Sequence, residues 1–134
     1  MEVESGNQKM ALMKIIEIAF SGYPVTDLKR ARQFYEGTLG LKQSMIFGDE
    51  NEGWIEYDIG AGTLAITNFS SDWKPSADGG GVALEVEHFD SAIAELKGAG
   101  IKFRIDPMET PVCFMAIVFD PDGNAVCIHK RIEK

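Results

Sequence analysis

The feature that most constrains this chain is an internal repeat, because a duplicated unit restricts the fold to one supersecondary motif used twice. Apolar and glycine positions of the first half recur in the second half at one constant offset. The pairs are Val25 and Val86, Leu28 and Phe89, Ala31 and Ala92, Gly37 and Gly98, and Gly62 and Gly123.

The first copy is predicted to contain a strand, a helix and three further strands. Residues 15–25 are rich in Ile, Phe, Tyr and Val, which favour strands. Asp27 follows as a helix N-cap, apolar residues recur at helical spacing, and Gly40 ends the helix. Gly60, Ala61 and Gly62 suit a tight hairpin turn. The three predicted strands of this copy are 42–47, 54–59 and 63–69.

The second copy repeats that order after a stretch full of Ser, Pro, Asp and Gly, whose composition is typical of a linker. We expect a strand over 82–87 and a helix that Asp90 or Ser91 caps and Gly100 closes. A turn at residues 120–123 then joins the last two strands. The strands predicted after this helix are 102–105, 112–119 and 124–129.

These elements predict an α+β fold of two tandem βαβββ modules, whose curved mixed sheets enclose a cleft. A chain of 134 residues suits one such domain. We therefore divide the chain into a disordered tail at 1–11 and a single domain at 12–134. Within that domain, module one spans 12–70, the linker 71–80 and module two 81–130.

Charge and cysteine content exclude several classes of protein. The net charge of −8 argues against nucleic-acid binding, because neutralising phosphates needs a basic face. No apolar run reaches the roughly 20 residues of a membrane span, and no signal peptide is recognisable. If Asp120 pairs with Gly123, Cys127 faces Ala116 and Cys113 points to the opposite face of the sheet. Two such thiols cannot form a disulfide, so we expect a reduced, cytoplasmic protein.

Three stretches of sequence occur in a characteristic order and spacing. They are Val25-Thr26-Asp27 with Ala31, Phe34-Tyr35 and Leu39-Gly40-Leu41, then residues 80–86, and finally Phe119-Asp120-Pro121-Asp122-Gly123-Asn124. Together they resemble the vicinal-oxygen-chelate superfamily of glyoxalases, bleomycin-resistance proteins and extradiol dioxygenases, over residues 15–129. The resemblance implies the βαβββ fold and a ligand cleft on the concave face.

The resemblance also implies where a metal would be held, since metal-dependent members place one His or Glu on each of four strands. The corresponding positions here are Phe20, Ala65, Gly81 and Cys127. Three of these side chains cannot bind a divalent metal, and a single cysteine does not make a site. We therefore expect no metal and no other cofactor, as in the metal-free members of the superfamily that bind small molecules.

Strand alternation predicts which side chains face the cleft. The mixture of aromatic, acidic and small residues on that face is typical of a ligand pocket, although the aromatic rings could instead plug the cleft. The predicted ligand-binding residues are Phe20, Trp54, Glu56, Thr67, Glu85, Phe114, Cys127 and His129. Trp73, in the linker, could close over this cleft or over a partner surface, or it could fold back on the sheet.

Two carboxylates are the candidate catalytic groups. An acid in an apolar cleft has a raised pKa and can act as a general base, which would suit Glu56 or Glu85 unless they are rim residues in water. Cys127 and His129 share one strand face, but their spacing is loose for an activated thiolate. A metal site built from Glu85, Cys127 and His129 would be non-standard for the superfamily.

The leading interpretation is a homodimer that binds an aromatic or cationic small molecule without a metal, with Glu85 as the polar anchor. The alternative is a glyoxalase-type lyase or isomerase that uses unusual metal ligands or a glutamate base. A third reading is a structural or regulatory dimer with a plugged cleft.

Overall fold

The structure, a computed structural model, describes residue 14 and residues 16–132. The tail predicted over 1–11 lies outside this range. The helices and strands are β1 (Ser21–Pro24), α1 (Leu28–Arg32), a π-helical segment (Gln33–Thr38), β2 (Gln43–Gly48), β3 (Gly53–Ile59), β4 (Gly62–Thr67), β5 (Val82–Glu85), α2 (Phe89–Gly98), β6 (Phe103–Glu109), β7 (Cys113–Phe119) and β8 (Ala125–Arg131).

Two four-stranded sheets with the same strand order confirm the α+β fold of two βαβββ modules. The first sheet runs β1-β4-β3-β2 and the second β5-β8-β7-β6. In each, the first strand of the module pairs in parallel with the last, and the other pairings are antiparallel. Neither sheet closes on itself. The helix-side faces of both modules contribute to one shared apolar core.

The first strand is shorter than predicted. Residues 16–20 precede β1 without joining the sheet, and Ile16 and Ile18 are 80% and 83% exposed. The reason lies in the pairing partner, because Ser21 lies opposite Leu64 and β4 begins only two residues before Leu64. The sheet therefore has no strand against which residues 16–18 could pair.

Both helices begin at identifiable capping positions. The Asp27 side chain accepts a hydrogen bond from the Arg30 N–H at 3.1 Å, so this predicted N-cap is confirmed. The second helix begins earlier than predicted, because His88, and not Asp90 or Ser91, holds the extended capping conformation, and its side chain makes no capping bond. No helix in the described part of the chain is long and apolar enough to cross a membrane.

The first helix widens into a π-helical turn after Arg32, where the Leu39 N–H donates to the Phe34 carbonyl. Phe34 and Tyr35 are adjacent and both are buried. A wider turn brings the two rings onto the core together, which a sequence pattern with the α-helical period does not reveal.

The hairpin between β7 and β8 has a different register from the predicted one. The Gly123 N–H donates to the Asp120 carbonyl, and Gly123 has a φ of +86°. A turn followed by a residue in the left-handed region forms a bulge that adds one residue to the loop. Cys127 therefore lies opposite Ile117 instead of Ala116.

The two modules are joined by hydrogen bonds from buried polar groups. The Tyr35 hydroxyl donates to Asp120 Oδ2 at 2.9 Å, and Asn124 Nδ2 donates to the Pro24 carbonyl at 2.8 Å. The Tyr23 hydroxyl accepts from the Val82 N–H at 2.7 Å and donates to the Ala125 carbonyl at 2.8 Å. These bonds hold β1 beside the start of β5 and β8, which brings the two sheets side by side.

Candidate functional site

Aromatic rings converge on the face of the first sheet that lies opposite the helix. They meet at Gly22 of β1, which has no side chain. A Cβ atom on Gly22 would lie 3.0 Å from Trp73 Cη2 and 3.5 Å from a ring carbon of Phe20. The Phe20 ring also meets the Trp54 ring edge-on, with 5.0 Å between their centroids. We call the surface formed by Phe20, Gly22, Trp54 and Trp73 the aromatic cleft.

One carboxylate lies at the edge of the aromatic cleft. Glu56 shares the face of Gly22, because both are register partners of Ala65. Its Oε2 accepts a hydrogen bond from Trp54 Nε1 at 2.9 Å, which orients both side chains. Among the described residues, Glu56 Oε1 has no hydrogen-bond donor. The remaining oxygen can therefore accept a donor from a ligand.

The aromatic cleft borders a cavity of about 320 Å³ between β1 and the linker. This size falls at the lower end of the range for small-molecule sites, roughly 300–1,000 Å³. The residues that line the cavity are Ser21, Gly22, Tyr23, Pro24, Trp73, Lys74, Ser76, Gly79, Gly80, Gly81 and Asn124.

Of the predicted ligand-binding residues, Phe114 lies on the wrong face. Its ring stacks on Phe89 of α2, with 5.8 Å between centroids, so it packs on the helix side. The bulge at Gly123 is the cause, because a slip of one residue exchanges the two faces of a strand. Met115 and Ile117 thus face the cleft side, whereas Ala116 and Val118 are fully buried in the core.

Thr67 faces the cleft side but is not available to a ligand. It is 4% exposed, its hydroxyl donates to the Gly53 carbonyl at 2.8 Å, and the same oxygen accepts the Phe69 N–H at 3.1 Å. Its role is to fix the chain where β4 leaves the sheet.

Glu85 already has protein partners, which corrects the expectation that a cationic ligand would supply one. Glu85 Oε1 lies 2.6 Å from His129 Nδ1, and Oε2 accepts the Arg131 N–H at 2.7 Å. The Arg131 bond, and after it the His129 bond, lower the pKa of the Glu85 carboxyl. A general base at this position was expected to have a raised pKa, so Glu85 does not fit that role.

The cysteines are free thiols that lie on one face of the second sheet, contrary to the prediction of opposite faces. Cys113 pairs with Arg131, and Cys127 lies four residues back along β8. That separation is roughly 13 Å along a strand, far beyond disulfide range. Burial raises the pKa of the Cys127 thiol, which disfavours a reactive thiolate.

The four positions that hold the metal in metal-dependent relatives do not fit a metal here. Phe20, Ala65 and Gly81 carry no donor atom in their side chains, and Cys127 is the remaining position. Among residues 14 and 16–132, no group of three or more His, Cys, Asp or Glu side chains is arranged to hold a metal ion.

Sequence reasoning left open whether Trp73 covers the cleft, and it missed the cavity beside this ring. The ring reaches the sheet through a loop, and alternation says nothing about how loops dock. One signal was present, since Gly22 interrupts a strand otherwise rich in large residues. A glycine in a strand often marks the close approach of another group.

Comparison with known proteins first defines a class, that of duplicated βαβββ domains. The antibiotic-binding protein TnmS3 from Streptomyces sp. CB03234 aligns with a TM-score of 0.74 at 23% identity, covering 90% of this chain and 99% of that one. A putative glyoxalase family protein from Bacillus anthracis aligns at 0.72 and 22% identity, covering 91% and 100%. TioX from Micromonospora sp. ML1 aligns at 0.69 and 16% identity, covering 87% and 99%. At these identities the likeness establishes the fold.

The family follows from the sequence itself. A model of the Glyoxalase/Bleomycin resistance protein/Dioxygenase superfamily matches residues 15–128. The chain therefore belongs to that superfamily. No curated protein matches the sequence closely enough to add a more specific relationship.

Proposed function

We propose that this protein binds a planar aromatic small molecule in the aromatic cleft. One observation carries the proposal: the rings of Phe20 and Trp73 meet over Gly22 beside a cavity, and the Trp54 ring packs edge-on against Phe20. Phe20 and Trp73 are each 43% exposed, so their rings keep free surface instead of sealing a core. Aromatic rings recognise other flat rings by offset or edge-to-face packing.

The bound molecule is expected to carry a positive charge or a strong hydrogen-bond donor near one edge. Glu56 supports this choice, because Trp54 occupies one of its oxygens and the other is free among the described residues. The net charge of −8 adds a field that attracts cations. Glu56 thus replaces Glu85 as the proposed anchor, and Trp73 replaces Phe114 as the third aromatic wall.

Binding is proposed to need no metal, because three of the four superfamily positions carry no donor atom and a single cysteine does not make a site. The antibiotic-binding relative named above gives a precedent for ligand capture on this fold. We further propose that the protein acts as a homodimer in the cytoplasm. Exposed apolar side chains beside β1 and on β2, with two free thiols, support this proposal.

Calorimetric titration with 9-aminoacridine, a planar cation, tests the ligand class, with 9-anthracenecarboxylate as its anionic counterpart. The cation is expected to bind and to quench tryptophan fluorescence, because both tryptophans of the chain line the aromatic cleft. Glu56→Gln should weaken binding of the cation roughly tenfold to a hundredfold, as the charge-assisted hydrogen bond is lost. Trp73→Ala should weaken it by up to about tenfold.

Asp58→Asn is the matched control, since Asp58 lies two residues along the same face of β3 and bonds Thr63. It removes the same charge and should leave binding unchanged. Equal weakening by Glu56→Gln and Asp58→Asn would mean that net charge, and not a contact with Glu56, explains the loss of binding. Absence of binding by 9-aminoacridine, or binding insensitive to Trp73→Ala, would contradict the proposal. Elemental analysis that finds one equivalent of transition metal per chain would contradict its metal-free part.

A further inference from the structure

A carboxylate and an imidazole lie together in module two, apart from the aromatic cleft. Glu85 on β5 and His129 on β8 are direct register partners in the parallel pairing of these strands. Their side chains share the face opposite the core, because Leu84 and Ile128 point into the core. The fold therefore brings a carboxylate and an imidazole together from opposite ends of module two.

The carboxylate of this pair is held at both oxygens. Oε1 meets His129 Nδ1 at 2.6 Å and Oε2 accepts the Arg131 backbone N–H at 2.7 Å. The Arg131 bond comes from the backbone of the strand that carries His129, so it fixes the carboxylate relative to the imidazole. A group held in this way can orient a neighbour but has little freedom to act alone.

The imidazole, by contrast, has one nitrogen free. An ionised carboxylate only accepts hydrogen bonds, so His129 Nδ1 is the donor and the neutral ring carries its lone pair on Nε2. In the described part of the chain, Nε2 has no hydrogen-bond partner. The side chain of His129 is 26% exposed, which leaves it partly screened and still accessible.

Two sulfur-containing side chains lie next to His129. Met115 lies directly opposite on β7, and Cys127 lies two residues away on the same face. On β5, β7 and β8, the titratable and charged groups that the register places on this face are Glu85, Cys113, Cys127 and Arg131. Arg131 supplies positive charge near the dyad, which favours a transition state that develops negative charge.

We propose that Glu85 and His129 form an acid–base dyad that catalyses hydrolysis of activated acyl esters. His129 Nε2 removes a proton from water while the water oxygen bonds to the carbonyl carbon. The bond from that carbon to the leaving oxygen then breaks, and the leaving group departs as an anion. The imidazolium, stabilised by Glu85, releases its proton to solvent, so one water is consumed per ester.

The substrate class follows from the proposed step. The departing oxygen receives no proton, because the imidazolium releases its proton to solvent. Substrates whose leaving group is stable as an anion, such as aryl esters, therefore fit the dyad, whereas amides and alkyl esters do not. Glu85 is a positioning residue here, and His129 is the catalytic residue.

Hydrolysis of p-nitrophenyl acetate by the full chain tests the dyad, and the chain supplies its own control because it has only two histidines. His129→Gln should abolish the protein-dependent rate. Glu85→Gln should lower it by about tenfold or more, since general-base catalysis depends on the orientation and stabilisation of the base. His88→Gln should leave the rate unchanged, because His88 is exposed at the start of α2.

A second measurement separates a catalytic role from a purely structural one. Long-range proton–nitrogen correlation spectra distinguish the two forms of the neutral imidazole. His129 should carry its proton on Nδ1, and Glu85→Gln should shift the proton toward Nε2. A rate in His129→Gln equal to that of the unmodified chain would overturn the proposal. A Glu85→Gln variant that keeps both the rate and the Nδ1 proton would overturn it as well.

Discussion

At the scale of single residues, burial controls the ionisation of the tyrosine hydroxyls. All three tyrosines of the chain, Tyr23, Tyr35 and Tyr57, are at most 2% exposed. Each hydroxyl is hydrogen-bonded, to the Ala125 carbonyl, to Asp120 and to Glu36 respectively. Polar groups that are buried with partners add specificity to a core, because a misaligned core would leave them unsatisfied.

The tyrosines should resist ionisation until the protein unfolds. Burial is the largest cause that raises the pKa of Tyr23 from 10.0 to about 12, and burial also raises the pKa of Tyr35 and Tyr57. Because the folded pKa lies above the unfolded one, the stability contributed by each neutral phenol is complete below pH 10.0. For Tyr23 it is lost as the pH rises toward about 12.

Ultraviolet titration of tyrosinate absorbance measures this effect. The native chain should show no tyrosinate near pH 10.0, and all three groups should then ionise together with the loss of circular dichroism. The same chain in denaturant is the control and should titrate near 10.0. A native tyrosine that ionises independently at its ordinary pKa would contradict the burial described here.

At the scale of elements, one glycine decides what a whole strand presents to the cleft. Gly123 adopts a φ of +86°, and the resulting bulge places Phe114 on the helix side of β7. Residues other than glycine are strained in this region of backbone conformation. The turn therefore specifies the face of β7 through backbone geometry and not through the apolar pattern of the strand.

Gly123→Ala should destabilise the protein by roughly 1–2 kcal/mol, the cost of a Cβ in the left-handed region. Gly98→Ala is the matched control, since Gly98 closes α2 and a Cβ there meets no atom within 4 Å. That replacement should stabilise the chain by about 0.5–1 kcal/mol, because alanine loses less entropy in a helix. Unfolding in urea measures the change in the free energy of unfolding for both variants. Equal effects of the two changes would contradict the role assigned to the Gly123 turn.

At the scale of the whole molecule, apolar surface remains uncovered in a single chain. Ile16 and Ile18 are 80% and 83% exposed in the segment before β1, and Phe47 is 67% exposed on the edge strand β2. Exposed apolar groups beside unpaired strand edges are typical of association surfaces. This observation supports the proposed homodimer.

Light scattering should give the mass of two chains at micromolar concentration. Ile18→Asp should shift the protein toward the monomer, because a charge would have to be buried at the interface. Glu17→Ser, in the same segment, is the control and should leave the mass unchanged. A monomeric unmodified chain would contradict the prediction, as would a dimer that Ile18→Asp leaves intact.

Much of this architecture was predictable from the sequence because it depends on local periodicity. The repeat specifies two βαβββ modules, and alternation places Ile55, Tyr57, Leu64 and Ile66 in the core, where each is at most 2% exposed. The Asp27 cap also follows from local chemistry, since a side chain there needs only the next turn of backbone. The local sequence pattern of each strand and helix is enough to indicate these features.

Tertiary structure alone decided the parts of the candidate sites that depend on distant contacts. Trp73 reaches Gly22 through a loop, and Glu85 meets His129 because β5 and β8 pair in parallel. The face of Phe114 depends on a bulge whose one-residue shift no alternating pattern encodes. Periodicity thus determined which residues could face a cleft, whereas loop docking and strand register determined which of them meet.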